Sequence, residues 1–262
     1  MALSRRSRCS RAVLLAVALA APAFGLECKD EHAACKSWAD GGECKKNKGF
    51  MTNACPVSCD TCPEPLDPKL VELGEDRVIM HVTNYGFVEL GFYPNAAPVT
   101  VKHIVKLFRL GCYDTNHIFR VDKGFVAQIQ SVDESSVQKP LSAECKAEAS
   151  KNVPGEFTNV PHERGILSMG RMDDPNSGGS SFSMLLGRAA HLDRQYTVFG
   201  KVIRGDDVLA KLEQVETTKS GIFVMPKVRI TITKAVMKGS GAAAEEEALR
   251  QATEQAQHNV EL

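Results

Sequence analysis

One cation interrupts an apolar run at His117, Ile118, Phe119, Arg120 and Val121, and Asp122-Lys123-Gly124 then turns the chain into Phe125, Val126, Ala127 and Gln128. A guanidinium in mid-strand is costly to bury, so Arg120 is expected to face a groove or a partner. There it can stabilise charge on a bound acceptor through charge-assisted hydrogen bonds in a partly dry cleft. Phe125 offers an apolar wall beside it, and Gln128 an amide that both donates and accepts. Taken singly, a strand arginine is more often a salt-bridged surface residue and a phenylalanine more often core. Its place beside Arg120 favours a pocket wall for Phe125, whereas for Arg120 the residue type alone leaves the surface reading ahead. His81, His103, His117 and His162 lack metal-ligand spacing and read as structural or exposed, so no metal site is expected.

Holding such a hairpin requires a rigid frame. Strand-like runs at Arg77–Thr83 and Phe87–Tyr93 are joined across Asn84-Tyr85-Gly86. Pro98, with apolar residues at Val101, Ile104, Val105 and Leu107, argues an amphipathic helix ending near Gly111. Further strands are expected at Gly165–Gly170, Phe182–Leu186, Thr197–Val202 and Val228–Val236, with a helix near Asp206–Glu213. Residues 132–163 are polar, contain Pro140 and Pro154, and read as a long surface insertion. Many strands and only two helices favour a closed antiparallel barrel in a mostly β chain.

A length of 262 residues accommodates such a domain plus appendages. Arg5, Arg6, Arg8 and Arg11 precede the run AVLLAVALAAPAF, and no acid occurs before Glu27, the layout of a signal peptide over residues 1–25. The apolar run is too short for a comfortable membrane span, so none is expected in the mature chain. Removing the four leader arginines from 32 basic residues leaves 28 against 32 acidic ones, which argues against a nucleic-acid partner. Cys28, Cys35, Cys44, Cys55, Cys59 and Cys62 crowd into residues 26–62, a segment too small to build a sufficient core without crosslinks. Three disulfides are expected, with the pairing open on spacing alone. Zinc at Cys59-x2-Cys62 is disfavoured by the absence of paired histidine ligands. Cys112 and Cys145 remain, as a fourth disulfide or as two thiols. Residues 63–75 begin PEPLDP and read as a stiff linker, and residues 239–262 as a polar tail.

The hairpin resembles the active-site hairpin of the cyclophilins, peptidyl-prolyl cis-trans isomerases whose motif is approximately FHRxxxGFxxQGGD. Three more blocks follow the family order: VELGFYPNAAPVTVKHIVKLFRLGCYD, GILSMGRMDDPNSGGSSFSMLLG at 165–187 and LDRQYTVFGKVIRGDDVLAKLE at 192–213. The wording RVDKGFVAQ and SSFSMLLG further resembles a secretory-pathway type of plants and algae. The resemblance spans residues 76–238 and implies an eight-stranded antiparallel barrel capped by two helices. It also implies rotation about X-Pro bonds, a barrier of about 18–20 kcal/mol crossed unaided in roughly tens to hundreds of seconds. No nucleophile, metal or cofactor is needed. It places the catalytic cation at Arg120 and substrate contacts at Phe125, Val126, Gln128, Phe182, Leu192 and Tyr196. His191 stands where many members carry the tryptophan that holds cyclosporin, so low sensitivity to that drug is expected. The family's GSQFF reads Gly179-Ser180-Ser181-Phe182-Ser183, so a glutamine has become Ser181 and a pocket-wall phenylalanine Ser183. The asparagine of SMAN has become Arg171.

The cysteine segment, with Asp30, Trp38, Ala39 and Gly42, resembles a ShKT domain, the sea-anemone-toxin-like module. That family's pairing implies Cys28–Cys62, Cys35–Cys55 and Cys44–Cys59. Gly49-Phe50 replaces the toxin's lysine-aromatic pair, so channel block is disfavoured and a docking module for a protein partner fits better. The leading expectation is an isomerase acting on proline-containing clients in the secretory pathway, in the ER lumen or secreted. The final Glu261-Leu262 shares two residues with an ER-retrieval signal. The alternative is a non-catalytic proline-peptide-binding or scaffolding module. Arg120, Phe125 and Gln128 favour the first; Ser181 and Ser183 favour the second.

Overall fold

The computed structural model describes residues 28–62, 64–239 and residue 250, so the expected leader and most of the expected tail lie outside the described residues. The described chain divides into two units, one ending at Pro65 and one beginning at Leu66.

The first unit holds three short helices, α1 (Cys35–Asp40), α2 (Glu43–Lys46) and α3 (Lys48–Ala54). None is long enough to be stable alone. Disulfides Cys28–Cys62, Cys35–Cys55 and Cys44–Cys59 tie them together, the pairing that the module resemblance implies. The small core is Cys35, Met51, Ala54 and Cys55, with Trp38 packed against it. Asp30 closes the unit by accepting from the backbone N–H of Val57 (2.9 Å) and Ser58 (3.2 Å).

The second unit is built on β1 (Arg77–Val82), β2 (Gly86–Phe92), β3 (His117–Asp122), β4 (Val126–Ile129), β5 (Ile166–Met169), β6 (Phe182–Leu185), β7 (Val198–Arg204) and β10 (Ile230–Met237). They close into an antiparallel barrel in the order β1-β10-β3-β4-β6-β5-β7-β2. Alternate residues face inward, as strand geometry requires: Ala127 and Ile129 on β4, Phe182 and Met184 on β6. Phe92, Phe108, Tyr113, Phe182 and Phe199 interlock at the centre with ring centroids 4.4–6.4 Å apart. Helices α4 (Pro98–Arg109) and α6 (Asp206–Leu212) pack on this core through Ile104, Leu107 and Phe108, and Val208, Leu209 and Leu212.

Three features differ from the sequence reading. Residues 132–163 are not a surface loop. They carry a third helix of this unit, α5 (Ala143–Ala149), and bury Val132, Val137, Leu141, Cys145, Val153 and Val160. Cys145 is joined to Cys112. Glu156 accepts from the N–H groups of Val99 (3.0 Å) and Thr100 (2.8 Å), satisfying donors at the start of α4 that no helical carbonyl can reach. The segment looked polar because its polar groups are paired internally: Asp133 accepts from the N–H groups of Ser135 and Ser136 at 2.9 Å each. Residues 66–75 are likewise docked, with Leu70, Val71 and Leu73 against the barrel and Asn95 donating to the carbonyl of Lys69 (2.9 Å). Finally, β8 (Thr217–Ser220) and β9 (Phe223–Pro226) form a separate hairpin lying against β3. Among the described residues no helix is long and apolar enough to cross a membrane.

Candidate active site

The register of β3 against β4 shifts between Ile118 and Arg120, so Phe119 and Arg120 together oppose Gln128. Such a bulge re-aims side chains. Ile118 and Val121 remain in the core while Arg120 emerges on the outer face, its side chain 19% exposed. The turn that follows is set by Gly124 at φ 72°, a conformation that side chains other than glycine's disfavour. Its N–H donates to Glu213 Oε1 (3.1 Å), and the Phe125 N–H donates to the carbonyl of Asp122 (2.9 Å). The Leu186 N–H donates in turn to the carbonyl of Phe125 (2.9 Å). Phe125 is thereby held beside the arginine, whose Cζ lies 5.1 Å from its ring centroid.

Arg120 Nη2 donates to Asp122 Oδ2 at 3.1 Å. Its Nε is buried and has no hydrogen-bond partner. Its Cζ also lies 5.7 Å from the ring of Phe223 on β9. Phe223 escaped the sequence reading. T-T-K-S-G-I-F-V-M-P (217–226), two short runs around a glycine, is compatible with a hairpin, but nothing local in it says that its ring meets Arg120.

Gln128 Nε2 donates to Ser181 Oγ (3.3 Å), and that hydroxyl donates to the carbonyl of Ile129 (2.8 Å). Ser181, standing where the family has glutamine, therefore orients Gln128. Gly170 allows this crowding: a Cβ there would lie 2.9 Å from the Ser181 carbonyl oxygen and 3.4 Å from Gln128 Nε2.

Beside these residues lies an outer-face apolar cluster of Val126, Val160, Ile166, Leu185 and Val198, with Phe125 and Leu192 packed against it. His191 is exposed at its edge, 5.2 Å ring to ring from Phe125. The turn carrying His191 and Leu192 is fixed by Asp193, which pairs with Arg188 and with His162 Nδ1 (3.0 Å). His162 Nε2 lies 3.0 Å from Ser168 Oγ. Burial lowers the pKa of His162 despite the raising effect of Asp193. A neutral ring with its proton on Nδ1 serves both contacts. Tyr196 lies under Arg171, whose Cζ is 4.3 Å from its ring centroid; this pairing was also missed.

The structure thus brings Arg120, Phe125 and His191 into one contact chain, sets Gln128 next to Ser181, and gathers Val126 and Leu192 in the adjoining apolar cluster. Phe182 does not belong to the groove. It is wholly buried inside the barrel against Phe108, Tyr113 and Phe199. The pleat is the reason: on β6 the outward residue is Ser183, opposite Gln128 on β4 and Ser168 on β5.

A family model described as cyclophilin type peptidyl-prolyl cis-trans isomerase/CLD matches residues 77–236, and one described as ShK domain-like matches residues 27–62. A peptidyl-prolyl cis-trans isomerase of Arabidopsis thaliana, CYP23, is 61% identical over 165 residues, covering 63% of this chain and 72% of that protein. A probable peptidyl-prolyl cis-trans isomerase of Brucella abortus is 33% identical over 162 residues, covering 61% of this chain and 82% of its own length. The crystal structure of a Cryptosporidium parvum cyclophilin type peptidyl-prolyl cis-trans isomerase superposes with a TM-score of 0.53 at 25% identity, covering 64% of this chain and 99% of that one. With a barrel of this topology and a family match over more than half of its length, the chain belongs to the cyclophilin-type peptidyl-prolyl cis-trans isomerases.

Proposed function

We propose that catalysis takes place on the outer face of β3, β4 and β6, with Arg120 as the catalytic cation. The observation that carries this reading is the guanidinium held against Phe125 on the same face as Gln128. As an X-Pro amide twists, its nitrogen loses resonance and gains a lone pair. A fixed guanidinium beside it stabilises that charge with hydrogen bonds that strengthen as the twist develops. Phe125, Val126 and Leu192 hold the proline ring, Gln128 takes the flanking backbone, and His191 and Tyr196 form the rim. The clients are proline-containing polypeptides of the secretory pathway, and the disulfide-rich first unit supports an oxidising compartment. That unit acts as a docking module for a protein partner.

Exchange spectroscopy on an X-Pro peptide with mature protein and R120A tests the reading. A fall in kcat of about 100-fold, the usual effect of losing one preorganised donor, is expected with peptide binding retained. Unaltered exchange in R120A would remove Arg120 from the mechanism. Peptide binding by the wild type without any enhancement would establish the non-catalytic alternative, which the missing wall at Ser183 favours.

A further inference from the structure

Arg120 has a second aromatic neighbour that lies outside the four sequence blocks shared with the cyclophilins. We propose that Phe223, on the β8–β9 hairpin, is a positioning residue for the catalytic cation, holding the guanidinium beside Phe125 and keeping water from its Nε–H. The inference rests on the reading of Arg120 given above.

Three observations carry it. The arginine has two rings within cation–π reach, with its Cζ 5.1 Å from Phe125 and 5.7 Å from Phe223. Its Nε is buried without a hydrogen-bond partner, so the aromatic walls take the place of water there. The hairpin is also built to bring this ring to this spot. Ser220 pairs with Phe223 across a tight turn in which Gly221 has φ 59°. The turn turns Ile222 out to solvent, 87% exposed, while Phe223 is half-buried. Phe223 meets Phe119 edge-on at 5.5 Å, and the bulge of β3 puts Phe119 on the outer face beside Arg120. At the base of the hairpin, the Lys227 N–H donates to the carbonyl of Glu216 (2.8 Å) and the two side chains form an ion pair at 3.0 Å.

Without Phe223 the guanidinium is restrained by Asp122 and a single ring. A long arginine side chain held at few points samples several rotamers, and only one of them directs its donors at the reacting amide. The ring therefore acts on kcat through Arg120 and leaves the proline pocket at Phe125, Val126 and Leu192 untouched.

Full-length mature protein carrying F223L, F223Y or R120A is compared with wild type by peptide exchange, with thermal unfolding as a check on folding. F223L fills most of the space but has no π face; F223Y keeps it. The expected result is a roughly tenfold lower kcat for F223L, with KM within about twofold and F223Y near wild type. The ring-current shift of the Arg120 Nε–Hε resonance should change in F223L, which leaves only Phe125 beside it, and stay near the wild-type value in F223Y. Wild-type kcat in F223L, or a raised KM with kcat spared, overturns the inference. If R120A is inactive while F223L is normal, this inference alone fails; if R120A is fully active, the reading of Arg120 fails with it.

Discussion

The disulfide between Cys112, just beyond α4, and Cys145, in α5, holds the 132–163 segment on the barrel, and its removal has a calculable consequence. The two cysteines are 33 residues apart. Loop-closure entropy for a crosslink of that span amounts to about 3–4 kcal/mol against the unfolded chain. Both residues are buried, so replacing them with alanine adds a small packing loss. For a unit of this size, that stability change lowers the melting temperature by roughly 10 °C. The C112A/C145A variant of the mature chain separates the units conveniently. The one tryptophan, Trp38, lies in the disulfide-rich unit, and the four tyrosines, Tyr85, Tyr93, Tyr113 and Tyr196, lie in the barrel. Near-UV dichroism of tyrosine then reports barrel unfolding, and tryptophan fluorescence reports the other unit. The tyrosine transition should fall by about 10 °C while the tryptophan transition stays in place. An unchanged tyrosine transition under non-reducing conditions would refute the reasoning, as would two titratable thiols in the folded wild-type barrel.

Two further outcomes follow from the same geometry. S183F places an apolar ring beside Gln128 on the outer face; partial burial of the ring should lower KM about 5- to 30-fold with little effect on kcat, and a raised kcat at constant KM would contradict the proposed division between wall and cation. Glu148 tests the docking of α5: burial alone would raise its pKa, but hydrogen bonds from Lys106, Lys151 and His103 outweigh that and hold it down to about 2. A carboxylate lowered on folding stabilises above its unfolded pKa of about 4.3 and loses that contribution as pH falls toward the folded value. Lys106 and Lys151 are more than half exposed, which screens the effect. E148Q should therefore be less stable by about 1–2 kcal/mol at neutral pH, with the deficit closing between about pH 5 and pH 2 in urea unfolding; a deficit undiminished at pH 2 would show that the carboxylate charge is not what stabilises.

The barrel and the hairpin at 117–128 were legible because strand alternation and a glycine turn leave local marks, and because the wording around Arg120 is shared with the family. The helix α5 was not. Its segment is hydrophilic on average, and its burial depends on single apolar residues such as Val137, Leu141 and Cys145 finding partners elsewhere on the chain. Docking of Leu70, Val71 and Leu73 was hidden in the same way, since a proline-rich run looks identical whether it is free or lies on a surface. Phe223 and the Arg171–Tyr196 pair were illegible for a further reason. Both contacts join residues distant in sequence, and no local pattern fixes which ring an arginine will meet.

Phe182 and Ser183 show how far such a reading reaches. The two are adjacent in the chain, yet the pleat sends Phe182 to the centre of the barrel and Ser183 to the groove. Assigning Phe182 to the substrate site was an error of face, and one residue of register is enough to produce it. The same alternation means that serine at 183, where the resembled motif has phenylalanine, leaves the core intact. A change at 183 alters the outer face beside Gln128 without opening a cavity in the core. Nor is Ser183 among the groups that meet Arg120, which are Asp122, Phe125 and Phe223. On the proposed assignment, binding and chemistry therefore draw on side chains that share an outer face but not a support, so that the first can be thinned while the second is kept.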